Sequence, residues 1–270
     1  MAKRRTTKKD GISEIEANNI YNTRDIKNAS ALQISSEGLD EFLQLASKVL
    51  FRSNLAISCG IISLVFGCAY NWLLIATIIC AGYYIYLRKT SMIELTFEDE
   101  DGDFYEYPEL DRIAGITKSQ KVWRIVQSSN VKDSKYAAGA SNIVNKKKCS
   151  ASTKAPFPFK TTAQCATFSS SKETLFFLPN ILIVIQGSKV GAVKYSDLSL
   201  DIYNRPFIES KSVPSDSEII SYTWKYVNKS GGPDSRFKNN KKIPVCNYGN
   251  IRVRSDQGID THIQYSNPNL

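Results

Sequence analysis

Between Leu55 and Leu87 the chain runs for 33 residues without a charged side chain. As one straight helix this run would extend about 50 Å at 1.5 Å per residue, against a bilayer hydrocarbon core about 30 Å thick. One straight span is too long, and two full spans want roughly 40 residues. The natural break is Tyr70-Asn71-Trp72, where the one strongly polar side chain of the run lies between two aromatic residues that favour the membrane interface. The expectation is a transmembrane helical hairpin over 53–88, with arms of about 53–69 and 72–88. Lys48 and Arg52 precede the run, and Arg88 and Lys89 follow it. Positive charge on both sides suits two spans with both ends facing the cytoplasm. The alternatives are one long tilted span and a buried soluble hairpin. Gly60, Ser63 and Gly67 would let helices approach closely, within the hairpin or between protomers of a homo-oligomer. The run starts too far into the chain to be a signal peptide, and no cleavage-like pattern follows it.

Residues 1–35 read as a basic, mostly disordered tail. Lys3, Arg4, Arg5, Lys8 and Lys9 would be drawn to anionic cytoplasmic lipid. Over 36–52 the pattern becomes helical, with Leu39, Phe42, Leu43, Ala46, Val49 and Leu50 on one stripe. Ser36 can cap this amphipathic helix, and its acidic and basic ends suit the helix dipole. It can lie on the membrane surface or pack on the domain that follows.

Residues 90–270 change to short β-branched and aromatic runs broken by Gly, Pro, Asn and Ser. No βαβ alternation is present. The fold class expected is α+β, mainly β: an amphipathic helix and a two-helix transmembrane hairpin, followed by a soluble antiparallel β-sandwich or barrel. Charge divides unevenly. Residues 90–117 hold nine acidic residues against one basic, whereas 118–270 hold 23 basic against ten acidic. Such asymmetry suits an anionic partner, or attraction between the two parts of one domain. The six cysteines form no C-x-x-C and no disulfide-like spacing, which fits free thiols in a reducing compartment.

The stretch "LFFLPNILIVIQGSKVGAVKYSDLSLDIY" reads strand, turn, strand, tight turn, strand, short helix, strand. Over these thirty or so residues the chain resembles pleckstrin-homology and GRAM-like modules, although it ends without their long C-terminal helix. That resemblance implies a small curved β-domain for lipid headgroups or proteins, without catalysis. The segments "VWRI", "AGAS", "FFLPN", "GAVKYSDL" and "TWKYVNKSGGPDSRFKNNKKIPV" resemble an uncharacterised family of bacterial membrane-anchored proteins. This implies a bacterial source and no particular mechanism.

Catalytic sets are scarce. His262 is the one histidine, in a strand-like run, so Ser-His-Asp or Cys-His chemistry would have to use it, and Cys246 lies in another strand. A partly exposed strand histidine is the simpler expectation. Clustered zinc ligands, a P-loop and a G-x-G-x-x-G are missing. Asp99, Asp101 and Asp103 lie in an acidic turn that is the one metal-like feature, but the spacing is not that of an EF-hand. No cofactor is expected. The candidate ligand-binding residues are basic: Lys229, Arg236, Lys238, Lys241, Lys242, Arg252 and Arg254. Most of them lie in the 228–242 loop, where Gly231-Gly232-Pro233-Asp234 makes a defined turn and Phe237 would pin the loop to the body. Trp123, Tyr222, Trp224, Tyr226, Val245 and Tyr248 are expected in the core.

These readings converge on a membrane-anchored, cytoplasm-facing β-rich binding or sensor protein, not an enzyme. It would sit in the inner membrane with both termini cytoplasmic. Its partner would be an anionic ligand such as a lipid headgroup or nucleotide, or a protein, and not duplex nucleic acid. One alternative is a ligand-gated membrane-disrupting effector of a bacterial defence system. A second is a metal-dependent hydrolase using the acidic turn.

Overall fold

The computed structural model describes residues 21–26, 28–31, 40–95, 108–131, 138 and 142–270. The acidic turn and residues 1–20 therefore lie outside the described residues. Helix α1, Asp40–Gly67, runs unbroken for 28 residues, about 42 Å. A tight turn follows, with Tyr70 N–H bonded to the Phe66 carbonyl and Leu73 N–H to the Tyr70 carbonyl. Helix α2, Leu73–Thr90, then returns along α1. Ser63 and Thr77 hydroxyls meet across the pair at 2.8 Å, and a Cβ on Gly60 would lie 3.5 Å from Cys80 Cβ.

Two expectations need revision here. The amphipathic helix of 36–52 and the first arm are one continuous helix, because nothing between Ser47 and Ala56 breaks the helical period. Of the two helices, one is long and apolar enough to cross a membrane, over Glu41–Gly67. Helix α2 falls short: it ends in Arg88-Lys89-Thr90 and carries Tyr83, Tyr84 and Tyr86.

The first turns of α1 belong to the β-domain. Leu43, Ala46 and Leu50 are buried on Phe176, Ile183, Ile185, Val190 and Ala192. These residues come from β7 (Thr174–Phe177), β8 (Ile181–Gln186) and β9 (Lys189–Lys194). The opposite faces of the same strands carry Phe177, Leu182, Val184 and Val193 into the main core. Burial on both faces is why Ile181–Ile185 reads as a continuous apolar run and not an alternation. Helix α2 is tied down as well. Strand β2, Ile93–Leu95, begins three residues after it and pairs in parallel with β5, Phe159–Thr161.

The remaining strands are β1 (Tyr21–Asp25), β3 (Val122–Val131), β4 (Asn142–Ser152), β6 (Ala166–Ser169), β10 (Ser199–Ile208), β11 (Glu218–Trp224), β12 (Lys242–Arg254) and β13 (Asp260–Tyr265). One antiparallel sheet runs in the order β10-β12-β13-β3-β4-β6-β7-β8-β9, with β1 added to β3 and β11 to β12. Strand β4 is the joint: its first part pairs with β3, and Ser150–Ser152 pair with β6. The two ends of this path share no ladder among the described residues. The sheet is folded back on itself, so that Val122, Ile251, Ile263 and Tyr265 of one half meet Phe168, Leu175, Phe177 and Val184 of the other. Helix α3, Pro108–Ile116, inserts Leu110, Ile113 and Ile116 into this core. Among the described residues the sheet is one continuous path through β4, folded over the core without closing into a barrel. Close packing dictates one glycine: a Cβ on Gly249 would lie 2.1 Å from the buried Tyr265 ring.

Residues 21–26 and 28–31 are part of the fold, not of a tail. Strand β1 pairs with β3, and Ile26 N–H continues to the Val126 carbonyl. Asn28 then bridges the two sheet halves. Its Oδ1 accepts from Asp260 N–H and the Thr261 hydroxyl, and its Nδ2 donates to Glu173 at 2.8 Å. Glu173 also forms a buried ion pair with Arg124 and accepts from Gln186. Gln186 in turn receives Ala31 N–H and donates to the Ala29 carbonyl.

Candidate functional site

The predicted basic residues fall into two groups. Lys242 and Arg254 are the first and last residues of β12, about 40 Å apart along an extended strand. At the far end, Arg252 pairs with Asp260 at 3.3 Å and Arg254 with Asp201 at 2.7 Å. At the near end, the 225–242 loop holds itself together. Arg236 makes a two-pronged contact with the buried carboxylate of Asp234, and Asn228 Oδ1 accepts from Ser230 and Gly232 N–H groups. Asn240 exchanges hydrogen bonds in both directions with the Tyr226 backbone. Phe237 stacks on Tyr226 with centroids 3.9 Å apart, so it pins the loop to its own base. Lys229, Lys238 and Lys241 are exposed, and Lys242 lies over the Tyr222 ring at 4.8 Å. Lys229, Arg236, Lys238, Lys241 and Lys242 thus share one loop and its exit, and Arg252 and Arg254 lie toward the other end of β12. Tyr222 is no core residue. It is 55% exposed on β11, which pairs with β12 along one edge.

His262 is buried, not partly exposed. Its Nε2 lies 3.0 Å from Asn250 Oδ1 and 3.4 Å from the Tyr203 hydroxyl. Burial first, then the positive charges of Arg252 and Arg205, push its pKa down to about 4. It pairs with Arg252 across the ladder, six residues along β12 from Cys246, about 20 Å for an extended strand. A Cys-His pair is therefore not assembled. Burial raises the pKa of Cys246, Cys165 and Cys149, that of Cys149 to about 11. All three thiols are buried in the packing of the β-domain. Among the described residues no group of three or more His, Cys, Asp or Glu is placed to hold a metal.

Sequence reasoning missed an enclosed lysine. A flat sheet would hold β4 and β10 four strands apart, about 19 Å. Yet Lys146 Nζ of β4 lies 3.9 Å from the Phe207 ring of β10 and 3.9 Å from the Trp123 ring. This half of the sheet is therefore curled, and its concave face carries Trp123, Phe207 and Tyr248 around the ammonium. Lys146 donates to Glu209 at 3.0 Å, and Glu209 also accepts from the Tyr248 hydroxyl. Burial lowers the lysine pKa, opposed chiefly by the hydrogen bond to Glu209. Burial and the neighbouring Glu209 carboxylate hold the Tyr248 phenol above its ordinary range. The cage is already filled by the chain's own cation, so its chemistry is that of a lock. The available signal was weak: Lys146 is the inward member of an "NKKKC" run that looks uniformly solvated.

A second feature lies where α1 leaves the β-domain. Ser47, Lys48, Phe51 and Arg52 of α1 face Ser188 and Lys189 of the β8–β9 turn across an open depression of about 310 Å³. Gly187, at φ +65°, sets that turn. Val190 N–H donates to Ser47 Oγ at 3.2 Å and fixes the turn against the helix. Lys48 and Arg52 are legible as flanking charges, and residues 186–189 as a hairpin turn. Only the docking of helix on sheet joins them.

No family model, curated protein or solved structure matches this chain.

Proposed function

We propose that this chain is a membrane-anchored β-rich binding protein whose β-domain is held rigidly at the cytoplasmic face of a bacterial inner membrane. The observation that carries this reading is the division of α1: its first turns are core of the β-domain, and its remainder exposes Phe51, Leu55, Ile61, Ile62, Leu64, Val65 and Phe66. An exposed apolar surface of that extent is unsuited to water. The helical pair over 53–88 enters the bilayer as a two-pass hairpin with both termini cytoplasmic. Each arm is about 22 Å long, shorter than the hydrocarbon core. Local thinning and the interfacial Tyr70 and Trp72 absorb the mismatch. The partner is an anionic ligand, met by cations at the helix exit and in the 225–242 loop.

The test is extraction followed by labelling. The protein should resist alkaline extraction from membranes and dissolve in detergent. In a chain keeping Cys68 alone of the three membrane-segment cysteines, a membrane-impermeant maleimide should label it only from the side opposite the β-domain. Labelling from the cytoplasmic side, or release at high pH, would overturn the topology. Cys149, Cys165 and Cys246 are buried and stay silent.

The effector reading has one observation in its favour. Both ends of the helical pair are fixed to the β-domain, through the α1 packing and the small β2–β5 sheet whose Phe159 is buried there, so ligand-driven movement of the β-domain would reach the membrane without a slack linker. Overexpression should then arrest growth, and replacing Leu55–Leu87 by an inert span should abolish the arrest.

A further inference from the structure

We infer that the depression at the α1 exit is a headgroup site for an anionic phospholipid. This rests on the membrane reading above and adds the ligand class and the residues. Position comes first. Phe51 and Leu55, both more than half exposed, begin the lipid-facing surface of α1, so Lys48, Arg52 and Lys189 stand at headgroup level. Charge comes second. Lys48 and Arg52 occupy successive turns of one helix face, and Lys189 approaches from the β8–β9 turn, with the hydroxyls of Ser47 and Ser188 between them.

Availability comes third. Arg124, Lys146, Arg236, Arg252 and Arg254 are each engaged by a carboxylate. Among the described residues no carboxylate pairs with Lys48, Arg52 or Lys189. Rigidity comes fourth. The two walls are joined through Leu43, Ala46 and Leu50 packed on Ile183, Ile185, Val190 and Ala192, so the cations are held together before any ligand arrives. A phosphodiester without a headgroup cation satisfies three positive charges and two hydroxyl donors, with Phe51 beside the acyl chains. A choline headgroup would bring its ammonium against them.

The experiment is native mass spectrometry of the full chain in detergent, titrated with phosphatidylglycerol or phosphatidylcholine. The wild type should form a one-to-one adduct preferentially with phosphatidylglycerol. K48Q/R52Q/K189Q should weaken it on the order of a hundredfold. K189Q alone, a surface change on the turn, should weaken it several-fold. K118Q/K147Q/K148Q removes the same charge from exposed lysines after α3 and on β4, outside both basic regions, and should leave it unchanged. Equal binding of the two lipids, or equal loss in both triple variants, would overturn the site. Displacement of the lipid by millimolar inorganic phosphate would assign it to a free anion instead. Resistance to alkaline extraction should persist in every variant, which separates failure of this site from failure of the membrane reading.

Discussion

The β-domain and the helical pair keep their polarity in opposite places. The β-domain buries charge: Arg124 with Glu173, Lys146 with Glu209, and neutral His262 among Asn250, Gln264 and Tyr203. The helical pair turns Ile61, Ile62, Leu64, Ile75, Ile78 and Ile79 outward and holds the Ser63–Thr77 hydrogen bond within. In water the first arrangement is stable only because these buried charges have partners. The second is stable only where the surroundings are themselves apolar. The boundary falls within α1, near the depression that carries Lys48 and Arg52. One helix thus divides into a stretch packed in the β-domain core and a stretch that exposes an apolar surface.

The largest effect should come from breaking a buried pair. Glu173→Ala leaves the Arg124 guanidinium enclosed without its carboxylate, and it also strips Asn28 and Gln186 of an acceptor. Removing one member of a buried pair costs about 3–5 kcal/mol. Denaturant unfolding of the detergent-solubilised chain, followed by tryptophan fluorescence, should show that loss. A change below 1 kcal/mol would mean that Glu173 does not carry the bridge between the sheet halves.

Next comes a matched pair of truncations in one helix. Leu43→Ala opens a cavity between α1 and β7–β9 and should cost about 2–5 kcal/mol. Leu64→Ala removes as much side chain from the exposed arm, where lipid or detergent fills the space, and should cost under about 0.5 kcal/mol. Equal costs would erase the boundary drawn within α1.

The sequence carries this division unevenly. The charge-free run and the β-branched runs mark the helical pair and β7–β9 directly, because both signals are local periodicities. The short helix and strands of 174–208 also follow the expected order. The buried pairs are not legible, since Asn28 and Glu173 are 145 residues apart and Lys146 and Glu209 are 63 apart. No local pattern distinguishes Lys146 from its solvated neighbours. The basic face fails to assemble for the same reason: residues on one strand read as neighbours in a list, yet β12 carries them to opposite ends. Tyr222 looks like a core residue because β propensity reports the strand and not its place at an edge.

A pH titration sharpens the comparison on the β-domain side. His262 is held neutral, with its pKa lowered to about 4 from an ordinary value near 6.5. Above pH 6.5 it is neutral folded or unfolded and costs nothing. As pH falls from 6.5 toward 4 the unfolded chain takes up a proton that the folded chain refuses, so stability declines, by about 3 kcal/mol at most. Carboxylates contribute mainly below pH 5, so the loss between pH 6.5 and 5 belongs to the chain's single histidine. His262→Gln should flatten that segment of the profile even if its overall stability is lower. An unchanged slope would place the titration elsewhere.

An effect as small as that of Leu64→Ala should come from the polar contact between the two helices. Ser63→Ala removes the hydroxyl that meets Thr77 at 2.8 Å. In an aqueous core such a loss would leave Thr77 short of a partner. Here the Thr77 hydroxyl already donates to the Leu73 carbonyl at 3.3 Å, and the methyl left by the substitution suits its surroundings. Interhelical hydrogen bonds in membranes average about 0.6 kcal/mol, and Ser63→Ala should cost no more than that. It should also leave Cys68 labelling unchanged. A cost of 2 kcal/mol or more would mean that the helices are held together as the β-domain is, by polar pairing and not by the close approach that Gly60 permits.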